Sequence, residues 1–339
     1  MEARAIPRAA RRASRAAVTR LGTELEIARS RRGHADLAIF HGFEPAPAGG
    51  GHQFLRALVR ELESRGLAIE ANRISGGTQA CLFNSFNFDF GRLGRFARDD
   101  CRMVHRVDGP IGVYRGFDDG TDARIAALNA DLAHATVLQS LYSLEKHAEL
   151  EIELRAPVVI TNAVDPAIFQ PPDAREPVAG RPLRVIASSW SQNPRKGSDV
   201  LAWLDRELDP SLATLTFVGQ SPRAYERIRQ VGPVDSYGIA RLLREHDVYL
   251  AASRDDPCSN ALLEALACGL PAAYLDSGGH PELVGEGGVP FRSAEDVPDA
   301  LTTLAADLDG FRSHIRVPSL SLVADAYLDV LGLRDEGPP

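Results

Sequence analysis

No apolar run in this chain approaches the roughly 20 residues needed to span a bilayer, which argues against an integral membrane protein. Cysteine is scarce. Cys81, Cys101, Cys258 and Cys268 fall in no metal-ligand spacing and no dense framework, so a reduced, cytoplasmic chain is expected. The Arg- and Ala-rich N-terminus lacks the apolar core of a signal peptide. The glycines nowhere fit G-x-G-x-x-G, so a dinucleotide fingerprint is not supported. One Asp-x-Asp exists, Asp307-Leu-Asp309, but it falls inside a predicted helix rather than at a strand end, and no metal site is expected. Positive charge is also in deficit: a net charge of −8 argues against a general nucleic-acid binder.

What is present is the composition of a soluble globular protein, 44% hydrophobic and 25% charged, on a chain of 339 residues that is long enough for two domains. The charge is uneven. Arginines from Arg4 to Arg32 make residues 1–34 a basic extension. It reads as a solvated helix or tail, with peripheral contact to an anionic membrane or a partner as the functional alternative.

Asp36–Gly42 reads as a first strand, followed by a loop holding Gly49, Gly50 and Gly51. Phe54, Leu55, Leu58, Val59 and Leu62 then share one face of a helix that stops at Arg65-Gly66, and Leu67–Ile74 returns as a strand. Strand, glycine loop, helix and strand begin a parallel sheet. Residues 82–90 are aromatic-rich and alternating, which suits core packing or the wall of an acceptor pocket. His105, Arg106 and Asp108 sit where a short strand meets a turn, an arrangement that favours a site. Residues 114–122 form a polar rim loop, whose Thr121 or Asp122 would cap the next helix. Its Asp118, Asp119 and Asp122 either favour a cationic acceptor such as an aminocyclitol or are simply solvated.

Proline and small residues at 166–182 mark a linker between residues 35–165 and 183–315, with a C-terminal helix and tail at 316–339 placed to pack back on the first domain. The second half again alternates strands and helices, beginning at Leu183–Ser189. Its organising stretch is Ser253–Pro271. There a buried strand runs into a polar turn, and a helix carries Ala261, Leu262, Ala265 and Leu266 at helical spacing. A helix N-terminus over the carboxyl edge of a parallel sheet suits phosphate, and Asp256 and Glu264 bracket it. The fold class expected is α/β, two facing Rossmann-like domains with a cleft between them.

At these residues the chain resembles the GT-B-fold retaining glycosyltransferases, specifically the glycosyltransferase family 4-like group. The family's acid-x7-acid signature matches Asp256 and Glu264, its Lys-Gly element Lys196-Gly197, and its Asn-x-Val-Asp hinge Asn162–Asp165. Its N-domain glycine loop matches Gly49-Gly50, and His105 falls where the family places a histidine.

The resemblance implies a nucleoside-diphosphate sugar donor, UDP-sugar first, and metal-independent, cofactor-free transfer with retention. It assigns the ribose hydroxyls to Glu264, and the phosphate to Ser259, Asn260, Ala261, Gly49 and Gly50. Lys196, with Arg195, takes the leaving diphosphate. Asp256 touches the donor sugar, His105 faces it from the opposite domain, and Asp108 and Arg106 are acceptor contacts. Three departures stand out: Asp256 where Glu is usual, Trp190 where an arginine often stands, and Pro257–Asn260 in place of Gly-Phe-Gly. The function implied is transfer of a hexose or N-acetylhexosamine to a hydroxyl acceptor, such as a small sugar or (amino)cyclitol intermediate. The alternatives are a polysaccharide or lipid-linked acceptor at a membrane surface, an epimerase or phosphorylase on the same fold, and a non-catalytic nucleotide-sugar binder.

Overall fold

The computed structural model describes residues 32–44 and 50–334. Gly49 and most of the basic extension therefore lie outside the described residues. Two parallel six-stranded sheets organise the chain. The first is built from β1 (Leu37–Phe40), α1 (Gly50–Ser64), β2 (Ile69–Ala71), β3 (Ala80–Asn84), α2 (Phe90–Phe96), β4 (Arg102–Arg106), α3 (Ile111–Arg115), α4 (Thr121–Leu132), β5 (Ala135–Leu138), α5 (Leu141–Glu149) and β6 (Pro157–Val159). The second comprises β7 (Leu183–Ser189), a 3-10 turn (Pro194–Lys196), α6 (Ser198–Glu207), β8 (Ala213–Gly219), β9 (Arg229–Val231), α7 (Ser236–Arg244), β10 (Val248–Ala251), α8 (Asn260–Ala267), β11 (Ala272–Leu275), α9 (His280–Val284) and β12 (Gly288–Phe291). Helices α10 (Val297–Ala306), α11 (Leu308–His314) and α12 (Leu320–Leu331) complete the chain.

Strands β1, β3, β5, β10 and β11 are buried along their whole length, as parallel strands covered on both faces must be. Strand order is β2-β1-β3-β4-β5-β6 in one sheet and β12-β11-β10-β7-β8-β9 in the other. Each order reverses direction once, beside β1 and beside β7. In an open parallel sheet the crevice at such a reversal, outside the strands' carboxyl ends, is where ligands bind. The residues leaving those ends are His41 and Asn84 in one sheet, and Ser189, Trp190 and Ser253 in the other.

Helix α12 follows the second sheet in sequence but packs on the first. Its Leu320, Val323, Ala324, Tyr327, Leu328 and Leu331 share one core with Leu55 and Leu58 of α1 and Val104 of β4. Arg65 donates to Asp325 at 2.6 Å and fixes the register of the two helices.

Within the aromatic-rich stretch 82–90, β3 ends at Asn84, Asn87 takes a φ of 68°, and Asp89 caps a helix by accepting from Arg92 N at 2.9 Å. Two local expectations need correction. Asp122 does not cap its own helix. Its carboxylate accepts from Ile111 N and Gly112 N, both at 2.7 Å, and so caps the short α3 that opens the expected rim loop. Asp307 breaks a helix rather than lying within one, capping α11 through Gly310 N at 2.9 Å.

Candidate functional site

The two crevices face each other across a cleft of about 420 Å³. The N-terminal wall presents His41, Gly50, His52, Asn84, Asp108 and Tyr114. The C-terminal wall presents Trp190, Lys196, Asp256, Ser259, Asn260 and Glu264.

At the centre two helices meet end to end. Ser259 caps α8, accepting from Leu262 N at 3.4 Å, and Asn260 is its first residue. Gly50 is the first residue of α1, and a Cβ placed on it would lie 2.4 Å from the Asn260 Cβ. Only a glycine lets the α1 backbone approach the Asn260 side chain this closely. Asn162 Nδ2 donates to Asn260 Oδ1 at 3.1 Å and ties the hinge segment to the same spot. The positive ends of both helices therefore converge on one volume, a place built for anionic oxygen. Gly50→Ala should push α8 out of position and lower kcat/KM about a hundredfold, the scale of an ångström of misplacement, while Tm shifts by only a few degrees. Steady-state kinetics beside a melting curve checks this, and an unchanged kcat/KM would refute it.

The cation at this point is Lys196, one of only two lysines among 38 basic residues. Where nearly every other positive charge is a planar guanidinium, this one is a compact ammonium. Gly197, at φ 87°, holds it there, because a Cβ would lie 2.5 Å from the Ala252 Cβ. Lys196 Nζ donates to Asp256 Oδ2 at 2.8 Å and sits 4.5 Å from the centre of the Tyr114 ring, which reaches in from the other domain. Burial alone would discharge the ammonium, but the Asp256 charge, then Tyr114, overrule it and hold its pKa above the usual lysine range. Burial likewise opposes ionisation of Asp256, and Lys196 reverses that and lowers its pKa.

Glu264 is different. It lies one turn into α8 on the cleft floor, and no charge compensates it; burial raises its pKa to about 8. A carboxyl in that state gains from any ligand that brings hydroxyl donors.

Other residues picked from the sequence are placed elsewhere. His105 does not face the cleft. On a strand successive side chains alternate, so with Arg106 turned to the cleft His105 turns into the core. There it stacks on Phe83 with ring centroids 4.3 Å apart, and Asn129 Nδ2 lies 3.1 Å from its Nδ1. Burial pulls its pKa down to about 3, so it is a neutral packing residue. His105→Leu should therefore lower Tm by several degrees but keep kcat/KM within about threefold, and a hundredfold loss in folded protein would restore it to the site.

Arg195 also leaves the expected set. It is ion-paired with Asp255, packs against Gly116 and is absent from the cleft lining, so it is not free to meet a diphosphate. Asn193 caps the 3-10 turn through Arg195 N at 3.0 Å. Trp190 lines the cleft without replacing the missing charge, which leaves Lys196 and the two helix ends.

Arg106 lines the cleft but is wholly buried and bound inward, to Asn84 Oδ1 and Asn162 Oδ1 at 2.9 Å and Asp108 Oδ1 at 3.2 Å. It organises the wall rather than reaching out of it, with the Tyr327 hydroxyl of α12 beside it. Asp108 remains partly exposed on the cleft surface. Asp118, Asp119 and Asp122 do not line the cleft; they bond Gly120 N, Arg115 and the α3 backbone, so the cationic-acceptor expectation drawn from them is withdrawn.

Sequence reading missed His41 and His52 as lining residues, while Asn84 and Tyr114 fall in the stretches it offered as a pocket wall and a cleft rim. The one legible signal for His41 was position, since it follows a strand beside the sheet reversal. At the far rim Leu141 N and Tyr142 N donate to the Glu282 carboxylate at 2.9 and 3.0 Å, and Tyr142 Oη donates to Asp255 at 3.0 Å. These bonds join the domains in the observed closed arrangement.

Residues 184–307 match the family model described as glycosyl transferases group 1. Over 161 residues, 43% of the chain, the sequence is 26% identical to one subunit of the human phosphatidylinositol N-acetylglucosaminyltransferase. That match spans about a third of the curated relative, 32% of its length. Among solved structures, sucrose-phosphate synthase from Thermosynechococcus elongatus aligns with TM-score 0.65 and 16% identity, covering 87% of this chain and 94% of that one. HepE from Anabaena in complex with UDP-glucose aligns at 0.61 and 16%, covering 88% and 97%. The catalytic domain of starch synthase IV from Arabidopsis thaliana, bound to ADP and acarbose, aligns at 0.66 and 11%, covering 88% and 99%. At such identities the structural likeness establishes the fold, the two facing domains of the GT-B arrangement.

Proposed function

We propose that the chain is a glycosyltransferase that moves a hexose or N-acetylhexosamine from a UDP-sugar to a hydroxyl acceptor with retention of configuration; the GT-B fold and the group 1 match at residues 184–307 support this reading. The observation that carries this reading is the meeting of two helix N-termini with Lys196 in one cleft whose floor is Glu264. The HepE structure is a complex with UDP-glucose, which supports UDP as the donor nucleotide.

In this reading the diphosphate lies in the cleft against the converging helix N-termini at Gly50 and Asn260, with Lys196 beside it. The ribose hydroxyls donate to Glu264, and the sugar rests between Asp256 and Asp108. As the bond from the anomeric carbon to the phosphate oxygen breaks, negative charge grows on that oxygen. Lys196 and the helix N–H groups are already oriented toward it, so they stabilise the transition state without reorganising. The acceptor oxygen bonds to the anomeric carbon on the same face, and its proton passes to the departing phosphate. Retention follows from that shared face, and no step requires a side-chain nucleophile or a metal.

A thermal-shift screen of UDP-, GDP- and ADP-sugars, followed by assay of slow nucleotide release, tests the reading. Stabilisation and release by a UDP-sugar, both weakened in Lys196→Ala and Glu264→Ala, are expected. Binding with no turnover in the presence of any acceptor would instead favour a non-catalytic binder. A second reading draws on the human relative, whose name specifies a phosphatidylinositol acceptor: transfer to a lipid-linked acceptor at a membrane surface. Among the described residues no helix is long and apolar enough to cross a membrane.

A further inference from the structure

The N-terminal wall of the cleft carries a hydrogen-bond chain whose polarity is set from one end. Arg106 can only donate, and its Nη1 lies 2.9 Å from Asn84 Oδ1. That contact turns the Asn84 amide nitrogen toward His41 Nδ1, 3.3 Å away. An amide nitrogen also only donates, so His41 Nδ1 is bare and the ring proton sits on Nε2. His41 Nε2 in turn lies 2.8 Å from His52 Nδ1, which must accept. The last ring of the chain is therefore an Nε2–H tautomer. His52 stands in the first turn of α1 on the cleft surface, and its Nε2–H is the free end of the series.

Both rings are neutral. Burial, then His52, Arg106 and Arg56, bring His41 down to about 4; burial also lowers His52, against the pull of the Glu44 charge and with that of Arg56. Glu44 and Arg56 do not line the cleft.

The charged residues on this wall, among the described residues, are Arg106 and Asp108, and they neutralise each other at 3.2 Å. The Arg106 hydrogen bonds to Asn84, Asn162 and Asp108 all run within the N-terminal wall. Asp108 receives Ser85 Oγ at 3.2 Å as well, and keeps lone pairs on its exposed side. The wall thus offers a neutral N–H donor, a charge-compensated carboxylate that accepts, and amides. A phosphate monoester brought here would find no unengaged cation, and an ammonium would find a carboxylate already countered. Either would lose its hydration without replacement.

We propose that the acceptor is an uncharged polyhydroxylated molecule, one of whose oxygens accepts from His52 Nε2–H while a hydroxyl donates to Asp108. This rests on the transfer reading and names the acceptor class of that site.

The test has two parts. Nitrogen-detected NMR of imidazole-labelled protein should show neutral His52 as the Nε2–H tautomer at pH 7 to 8, and an Nδ1–H tautomer overturns the chain. With UDP-glucose and UDP-N-acetylglucosamine as donors, matched sets of hexoses, pentoses and cyclitols are then offered as the free polyol, its phosphate monoester and its amine. Acceleration of UDP release by tenfold or more should be confined to the free polyols. A phosphate or amine as the best acceptor overturns the proposal, and so does a panel in which no polyol accelerates release. On the best acceptor, His52→Leu should raise acceptor KM about tenfold and donor KM far less, and His52→Gln, which keeps a neutral N–H donor, should recover most of the loss. Equal KM values in all three proteins overturn it. Donor binding and slow donor hydrolysis, scored separately, report on the transfer reading itself, so the two can fail independently.

Discussion

Lys196→Ala is expected to lower kcat by about a thousandfold or more, with a smaller rise in donor KM. Removing one preorganised donor at a developing oxyanion typically costs 10²–10³ in rate, and here the group lost is a full charge in a desolvated cleft. The geometry leaves no substitute. Arg195 is held by Asp255, Trp190 carries no charge, and Arg106 is bound within its own domain. The substitution also strands Asp256, whose ionised form depends on the ammonium 2.8 Å away. Breaking a buried pair on one side costs about 3–5 kcal/mol of stability, so Tm should fall and Asp256 should take up a proton. Lys196→Ala together with Asp256→Asn separates the two effects. The double variant should regain most of the lost Tm and almost none of the lost kcat. Activity of Lys196→Ala within tenfold of the parent would falsify the role given to this ammonium.

Glu264→Gln should do two opposite things. The carboxyl has a folded-state pKa of about 8 against 4.5 in the unfolded chain, because burial penalises its charge and nothing offsets it. Between those values the folded state holds a proton the unfolded chain has released. Stability from this group is therefore fully present below about pH 4.5, falls as pH rises, and is lost through pH 8. Glutamine carries no such penalty, so the variant should be more stable than the parent by up to about 5 kcal/mol at pH 8.5, with the difference vanishing near pH 4.5.

Donor affinity should move the other way. Ribose hydroxyls donate best to the ionised form, so the parent should bind UDP more tightly as pH rises toward 8 and release close to one proton per UDP bound at pH 7. Glu264→Gln should bind at least about tenfold more weakly and release none from this position. Calorimetry in buffers of different ionisation heat reads the proton count directly. No proton release by the parent, or equal affinity in both proteins, would remove Glu264 from the ribose. A residue whose removal stabilises the fold and weakens the ligand is held there for function.

How much of this was legible in sequence depended on how local the controlling physics was. The stretch from β10 to α8 was readable because each of its steps is set by neighbours in the chain: apolar run, polar turn, Ser259 cap, apolar helical spacing, Gly269 stop. Lys196-Gly197 was picked out by the family resemblance, and the structure shows the turn there to be one that only glycine closes. The stretch 82–90 was legible as core packing or a pocket wall and is both, Leu82 and Phe83 buried and Asn84, Phe86 and Asn87 on the cleft, because pairing with β1 and β4 decides where β3 ends. His105 was misassigned by one step of strand alternation. A motif gives a residue's place along a strand, but which face it takes depends on the sheet it joins.

The sequence by itself determined two α/β halves and the capped helix start that Asp256 and Glu264 bracket, because periodicity, caps and breakers act over a few residues. Only the tertiary structure decided which side chains share the cleft. Gly50 reaches Asn260, Tyr114 covers Lys196, Asp255 captures Arg195, and Arg106 sets the protons on His41 and His52. These pairings join segments tens to hundreds of residues apart; those of Arg195 and Arg106 need each sheet assembled, and those of Gly50 and Tyr114 need the two sheets face to face.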